Sequence, residues 1–582
     1  MKHLSASLRL LLVVGLLLLV VVCLGAGRPS QAAPGVLVNV KLSGPMAAGG
    51  QVAGQPFAIS ADNQYAVYVA DPAVNGLYDV YSVRADGQGV PIRLSNATGQ
   101  SAAWPSYRLT PDGRRVIYVM SVDGGGPREL YSVPIGGGTP VRLSGPLAAG
   151  GNVAQFLISR DSAHVIYRAD QNANEVFELF TVPVAGGAAV RLNGPLAAGG
   201  EVNSDFNTDG SSRVIYRAEQ TTNGVYELYS APIGGGAAIK LNGFLVAGAS
   251  VAFFRAGPNT TRVVYVADQD TDGIQEVYSV PADGSEMAIK LNPPLAAGRN
   301  VFGAMISPNG ARVLYYADQE STGRIELFSV PVVGGWVIKL NGPLVAGGNV
   351  GLARFSEDSA RVVYQADQDT NETHDLYSVP AAGGTPVKLN GPLATPDGLL
   401  GFAISPNSAR VVYRAAQATA GLVELYSVPI GGGPSTKLNP PLPNTSRSVA
   451  RFEISPDSSR VVYSADSTAD ERYELFRVPI TGGETVKVSG AMVAGGSVGG
   501  QGAIFRLSPD GHKVLYLATQ ENAARLELFA TFDGDVPPPT LTPTLTPTIT
   551  TTPPTPTPTP TATSTPPPPS EWVFLPVVAR MD

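Results

Sequence analysis

The sequence predicts an all-β fold, a β-propeller of about ten four-stranded blades, and three observations support this prediction. First, one tyrosine recurs ten times, at intervals of 49 to 53 residues. Second, each copy contains four short runs of strand-forming residues divided by turn residues. Third, the last copy lacks a fourth strand, whereas an isolated strand precedes the first copy. The recurring tyrosines are Tyr68, Tyr118, Tyr167, Tyr216, Tyr265, Tyr315, Tyr364, Tyr413, Tyr463 and Tyr516.

The copy around Tyr364 shows the four strands most clearly. Its second strand, Arg361–Ala366, is apolar on both sides, which is typical of a strand buried between stacked sheets. No stretch of the repeats has a helical period longer than about one turn. We therefore expect a small sheet in each copy, with the other strands of this one at Asn349–Phe355, Asp375–Val379 and Pro386–Leu389.

The fourth strand carries a basic residue, and in some copies a proline such as Pro91, Pro140 or Pro386. Basic side chains protect an exposed sheet edge, and proline is tolerated at an edge because it donates no hydrogen bond to a neighbour. The fourth strand is therefore predicted to form the outer rim of each sheet. The basic residues are Arg93, Arg142, Arg191, Lys240, Lys290, Lys339, Lys388, Lys437 and Lys487.

The ends of the repeat region predict how the ring closes. The last copy has its third strand at Leu526–Phe532 and then no fourth strand. Val36–Leu42 resembles a fourth strand, with Lys41 at the basic position, so we expect residues 36–42 to complete the last blade. A single ring is the simplest arrangement. Two rings of five blades are the alternative, because propellers usually have about 4–8 blades.

Residues 1–33 have the features of a signal peptide. Lys2 and Arg9 precede a long apolar run, and small residues up to Ala32 offer a cleavage site. An uncleaved N-terminal anchor is the alternative, because the run is long for a signal peptide. The only cysteine, Cys23, lies in this segment, so we expect an exported chain without disulfides, which favours a bacterial origin.

The rest of the chain divides by composition. Residues 34–535 contain the repeats, and residues 536–570 are Pro and Thr almost throughout, which predicts a disordered, extended stalk. The final residues, 571–582, form a short apolar tail, in which Trp572–Val578 is interpreted as a sorting or docking tag. A strand that pairs with another sheet, or plain disorder, is the alternative for this tail.

The turn between the first and second strands has a repeated sequence. It reads Thr-Pro-Asp-Gly at residues 110–113, Ser-Pro-Asp-Ser at 455–458 and Ser-Pro-Asp-Gly at 508–511. Pro presets the backbone, Asp caps its own turn and Gly supplies a positive φ. This pattern resembles the WD40-like, or PD40, repeat of TolB-like propellers, and the resemblance covers all ten copies. It implies the propeller fold and concerns only this part of the chain.

The loop between the second and third strands reads Ala-Asp-Gln, or a variant, in many copies. In a propeller this loop lies on the same face as the Gly-rich segment that joins two blades, such as Gly194–Gly200. The acidic residues predict a face that binds a cation or a basic partner. The alternative is that each carboxylate accepts backbone hydrogen bonds in its own hairpin. The candidates for this face are Asp170, Glu219, Asp318 and Asp367.

One of these loops also suggests calcium. Asp268, Asp270 and Asp272 alternate with other residues and precede Gly273, which suits an oxygen-ligated Ca²⁺ loop. The flanking helices and the bidentate Glu of an EF-hand are missing. Calcium is the one cofactor that the sequence suggests.

The channel of the propeller is the other candidate site. First strands line such a channel, and three of them carry an arginine: Arg255, Arg354 and Arg451. The histidines outside the leader fall in different copies and therefore predict no zinc or acid–base site: His164, His374 and His512.

These features together predict an exported or cell-surface binding scaffold without evident catalysis. Its partner is expected to be a protein, a peptide or an envelope glycan that binds through one loop face. A polysaccharide lyase or hydrolase with a channel active site, and a purely structural surface protein, are the alternatives. A formal net charge of -7 without a basic stripe argues against nucleic acid. We expect a monomer with no integral membrane domain after signal cleavage.

Overall fold

A computed structural model describes residues 37–533 apart from 55–56, 74–75, 96–104, 122–124, 211, 258, 470 and 500–503. The predicted signal peptide, stalk and apolar tail lie outside the described residues. The described residues form forty strands and no helix, as the sequence predicts. Consequently, none of them belongs to a helix that could cross a membrane.

The strands form ten antiparallel four-stranded sheets, called blades 1 to 10 in chain order. Strand β1 (Leu37–Lys41) precedes blade 1. Blades 1 to 5 comprise β2–β5 (Ala58–Ile59, Tyr65–Ala70, Asp79–Arg84, Ile92–Arg93), β6–β9 (Ser106–Leu109, Arg115–Met120, Glu129–Pro134, Val141–Arg142), β10–β13 (Val153–Ile158, His164–Ala169, Glu178–Pro183, Val190–Arg191), β14–β17 (Val202–Thr208, Arg213–Ala218, Glu227–Pro232, Ile239–Lys240) and β18–β21 (Val251–Ala256, Arg262–Ala267, Glu276–Pro281, Ile289–Lys290).

The second half of the ring repeats this order, and blade 10 has only three strands of its own. Blades 6 to 10 comprise β22–β25 (Val301–Ile306, Arg312–Ala317, Glu326–Pro331, Ile338–Lys339), β26–β29 (Val350–Phe355, Arg361–Ala366, Asp375–Pro380, Val387–Lys388), β30–β33 (Leu399–Ile404, Arg410–Ala415, Glu424–Pro429, Thr436–Lys437), β34–β37 (Val449–Ile454, Arg460–Ala469, Arg472–Pro479, Val486–Lys487) and β38–β40 (Phe505–Leu507, Lys513–Ala518, Glu527–Asp533).

The ring closes where the sequence predicts. Strand β1 pairs antiparallel with β40, with Leu37 opposite Asp533, and so becomes the fourth strand of blade 10. Leu528 of blade 10 then shares a buried cluster with Tyr68 of blade 1. The N-terminal strand thus completes the last blade, as expected.

The core lies between the blades. Each of the ten clusters of buried apolar side chains joins two consecutive blades, including 5 with 6 and 10 with 1. Between blades 6 and 7, for example, Leu314 and Leu327 pack with Val362 and Tyr364. Tyr364 also stacks on Tyr377 of its own blade, with 5.6 Å between ring centroids. The blades therefore form a single ring, and the alternative of two five-bladed rings is wrong.

An ion pair holds the fourth strand of every blade. In blade 6, Lys339 Nζ lies 3.0 Å from Glu326 Oε1, and in blade 7, Lys388 Nζ lies 2.7 Å from Asp375 Oδ2. The basic residue of the rim therefore has a fixed acidic partner at the start of the third strand, in addition to protecting the edge. The acids are Asp79, Glu129, Glu178, Glu227, Glu276, Glu326, Asp375, Glu424, Glu474 and Glu527.

The turns between first and second strands link neighbouring blades. Gly113 has the predicted positive φ, at 71°, but Ser408 occupies the equivalent position in blade 8 with a φ of 58°. The Ser408 hydroxyl accepts a hydrogen bond from the Asp358 amide of the preceding blade at 3.0 Å. The serine therefore gains a contact between blades that a glycine lacks, although its backbone conformation is unfavourable.

Candidate functional site

The first strands surround the axis of the ring and line a central channel. The first strand is one edge of each sheet, and β14, β18 and β22 of consecutive blades contact one another. In blades 3 to 9 a β-bulge near the start of the first strand disturbs this free edge. First strands also vary more than second strands: VNSDFNT and VFGAMI contrast with RVIYRA and RVLYYA. The blades therefore differ most at the channel wall.

The channel wall has an apolar part. Phe302, Leu352 and Leu400 lie on the first strands of the consecutive blades 6, 7 and 8. Each side chain is 43 to 48% exposed, although most large apolar residues of the described chain are buried. Charged residues are concentrated on the first strands of the flanking blades 4, 5, 9 and 10, and blade 7 adds Arg354 beside its apolar Leu352. The wall is therefore amphipathic around the ring.

The three predicted channel arginines do lie on first strands, but in blades 5, 7 and 9, so that one blade separates each from the next: Arg255, Arg354 and Arg451. The Arg255 guanidinium lies 5.1 Å from the centroid of the Phe253 ring. Arg451 pairs with Glu453 at 3.0 Å. The structure does not bring the three arginines together in one site.

A second set of arginines supports the bulges, and sequence reasoning missed it. These residues stand at the fifth position of second strands: Arg168, Arg217 and Arg414. Arg217 Nη1 donates to the Val251 carbonyl of the next blade at 2.8 Å, and Arg168 Nε donates to the Val202 carbonyl at 2.6 Å. The signal for these contacts was the Arg of the recurring sequence Val-x-Tyr-Arg-Ala.

A charged group of the wall lies in blade 4. Arg217 Nε lies 3.6 Å from Asp205 Oδ2, and its Nη2 donates to Asn203 Oδ1 at 3.0 Å. Burial raises the pKa of Asp205 above its ordinary value, and Arg217 and Arg255 offset only part of this effect. This group therefore combines a partly buried carboxylate with two guanidinium groups.

The acidic residues of the predicted loop face bridge two segments of backbone. Asp318 Oδ1 accepts the Asn300 amide at 2.6 Å, and Oδ2 accepts the Gly323 amide at 2.9 Å. Asp170 and Glu219 each accept two amides in the same way, and all three side chains are buried. Two satisfied oxygens and deep burial favour the role in folding over the role in docking.

Asp367 departs from this scheme. Its Oδ2 accepts the Glu372 amide at 3.2 Å, but its Oδ1 lies 3.3 Å from His374 Nδ1 and accepts no backbone amide. The next residue, Gln368, accepts the Gly342 amide at 2.6 Å. The Asp-Gln pair of this loop therefore still connects blade 7 to the segment that enters it.

The predicted calcium loop does not gather its carboxylates. Asp268 accepts the amides of Ser250 and Gly273, whereas Asp270 pairs with Lys290 at 2.7 Å. The Asp272 carboxylate lies close to the backbone of Gly248, in the connection that leads into blade 5. Among the described residues, no group of three or more His, Cys, Asp or Glu is placed to hold a metal ion. This arrangement does not favour the predicted calcium site, which remains untested and which titration can test.

The chain also contains one Gly-x-Ser-x-Gly sequence, at residues 495–499, which sequence reasoning missed. In hydrolases of one large fold this pattern places the serine on a turn between a strand and a helix. Ser497 instead accepts the Tyr473 amide at 2.9 Å, and no helix occurs in the described chain. Ser250 accepts the Tyr226 amide in the same way, so this serine connects two blades.

Comparisons with known proteins do not establish a family for this chain. No protein-family model and no curated protein sequence matches the chain. Solved structures similar to it include a prolyl endopeptidase, with 15% identity over 63% of this chain and 54% of the other and a TM-score of 0.36. A TolB protein from Agrobacterium tumefaciens shares 15% identity over 45% and 89% of the two chains, with a TM-score of 0.25.

An oligogalacturonate lyase in complex with manganese shares 12% identity over 62% of this chain and 94% of the other, with a TM-score of 0.31. The chain spans about half the length of the prolyl endopeptidase. Similarities this distant concern the fold at most, and no activity, substrate or metal is carried over from these proteins.

Proposed function

We propose that this protein is an exported or cell-surface binding scaffold that engages a protein, peptide or glycan at its loop face and at the channel opening there. The observation that carries the proposal is the contrast between a repeated framework and a varied channel wall. The same ion pair and the same aromatic stack recur from blade to blade. Repeat proteins recognise their partners through surface residues that vary over a constant framework.

Export rests on the leader sequence. Residues 1–33 combine Lys2 and Arg9 with an apolar run and a cleavage site, and the only cysteine of the chain lies within them. The Pro/Thr-rich residues 536–570 suit a spacer that holds the ring away from a surface.

The proposal can be tested by immobilising the secreted chain and passing an envelope extract of the producing cells over it. We expect a component that is retained by the wild-type chain, is lost with Leu352→Arg in the channel, and is retained by Val333→Arg. Val333 is a matched control because it is 66% exposed and lies outside the first strands. Retention of nothing by the wild-type chain, or equal retention by both variants, contradicts the proposal.

A channel enzyme acting on polysaccharide is the second candidate. The observation that favours it is the carboxylate of Asp205, whose pKa is raised by burial beside Arg217 and Arg255. Incubation with plant and bacterial polysaccharides, followed by detection of new reducing ends, tests this candidate. Product that forms with the wild-type chain and not with Asp205→Asn would establish catalysis.

A further inference from the structure

The first strand of blade 4 differs from those of its neighbours. In blades 3 and 5 to 9, two residues of the bulge stand opposite one residue of the second strand. In blade 4, Val202 pairs with Ala218 and Phe206 with Tyr216, so three residues stand opposite Arg217 alone. Bulges re-aim side chains and are frequent beside active and binding sites.

The wide bulge presents polar groups to the channel. It consists of Asn203, Ser204 and Asp205, of which Ser204 is exposed and the Asp205 side chain is 35% exposed. The Asp205 amide donates to Asn203 Oδ1 at 2.9 Å, and Arg217 Nη2 donates to the same oxygen at 3.0 Å. These bonds fix the bulge and leave the Ser204 hydroxyl and part of the carboxylate free to meet a ligand.

A second fixed carboxylate stands just before this strand. Glu201 Oε2 accepts Arg168 Nη2 at 2.7 Å, and its Oε1 accepts the Tyr226 hydroxyl at 3.2 Å. Its side chain is 34% exposed, and the Arg168 guanidinium lies 3.8 Å from the centroid of the Phe177 ring. Blade 4 thus holds two partly exposed carboxylates, each in a fixed orientation beside an arginine.

The next first strands along the wall are apolar. β18 of blade 5 contacts β14 and carries the partly exposed Phe253, and β22 of blade 6 follows with Phe302, which is 47% exposed. A ligand that lies across blades 4 to 6 would therefore meet fixed polar groups first and aromatic surface next.

We propose that the wide bulge of blade 4 binds a neutral oligosaccharide, whose hydroxyls meet Ser204, Asp205 and Glu201 while a sugar ring packs on Phe302. This inference rests on the proposed function and names its ligand class. Hydroxyls both donate and accept hydrogen bonds, so they suit carboxylates and guanidinium groups that are already paired. Glu201 and Asp205 each already lie beside an arginine, so the charges of the site are largely balanced and a neutral ligand suits it better than a strongly charged one.

Calorimetric titration of the full secreted chain tests the inference. The probes are hexasaccharides of β-glucan, xylan and mannan, with hexagalacturonate as the acidic comparison. We expect the wild-type chain to bind at least one neutral probe, and Ser204→Arg to weaken that binding about tenfold or more by blocking the bulge. Ser106→Arg is the matched control, because Ser106 is an exposed serine on the first strand of blade 2. It should leave affinity within about twofold.

Several outcomes would overturn the inference. They are binding of no neutral probe, preference for hexagalacturonate, and equal weakening by Ser204→Arg and Ser106→Arg. Asp205→Asn provides a second test, because it keeps the shape of the side chain and should also weaken binding of the neutral probe. If the envelope component is retained but no saccharide binds, the scaffold proposal stands and the saccharide site is wrong.

Discussion

Replacing Asp318 by alanine tests whether the loop-face carboxylates hold the ring together. The side chain is 2% exposed and accepts the Asn300 and Gly323 amides at 2.6 and 2.9 Å. Alanine would leave both partly buried amides without their charged acceptor, and each such loss costs about 1–3 kcal/mol. We therefore expect Asp318→Ala to lower the free energy of unfolding by about 2–5 kcal/mol. Guanidinium denaturation followed by far-UV circular dichroism measures the change.

Asp367 provides a control within the same chain. It accepts one backbone amide, that of Glu372, at 3.2 Å, and its other oxygen faces His374. Asp367→Ala should therefore cost about half as much as Asp318→Ala, or about 1–2 kcal/mol. An unchanged denaturation midpoint for Asp318→Ala, or a larger loss for Asp367→Ala, would refute the assignment of these carboxylates to folding. Their role would then have to be sought in a partner.

Three further predictions concern calcium, the seam and alkaline pH. Because the carboxylates of the predicted calcium loop point to separate partners, calcium should leave the melting temperature unchanged, and an upward shift would establish a site. Asn39→Ala removes hydrogen bonds from Nδ2 to the Tyr516 hydroxyl at 2.6 Å and to Thr531 Oγ1 at 2.7 Å. It should therefore destabilise the closed ring by about 1–3 kcal/mol. An unchanged midpoint in guanidinium denaturation would contradict this role of Asn39. Burial raises the pKa of Tyr167 and Tyr229 to about 12, so these groups keep their protons in the folded state. Their contribution to stability is present below pH 10, the ordinary tyrosine pKa, and is lost between about pH 10 and 12. Tyrosinate absorbance and circular dichroism should therefore change together, and full ionisation near pH 10 in a folded chain would contradict this.

Much of the fold could be predicted because each blade is encoded within about fifty residues. The second strand of blade 7 was predicted with its observed bounds, Arg361–Ala366, because alternate and intervening positions are both apolar. The fourth strand was expected at Pro386–Leu389 and is only Val387–Lys388. Its start is shortened next to a proline that cannot donate to the ladder.

The candidate sites were harder to predict. The acidic partner of each rim lysine recurs with the same spacing as the tyrosines. To predict that Glu326 pairs with Lys339, however, one must know the register in which the third and fourth strands pair. The loop aspartates look alike in sequence whether they bind a cation or cap a backbone. Only the positions of amides such as those of Asn300 and Gly323 favour one role for Asp318. The wide bulge of blade 4 shifts Phe206 by one residue relative to the second strand. The spacing between the recurring tyrosines does not reveal this shift.

The sequence by itself determined the number of blades, the order of their strands and the segment that completes the last one, because repetition and strand patterning are local properties. Only the tertiary structure decided that the ten blades form one ring, because closure depends on packing between blades, such as Leu528 against Tyr68. It also decided which carboxylates are committed to the backbone and which remain open at the channel. That division depends on where amides and guanidinium groups from neighbouring blades come to lie.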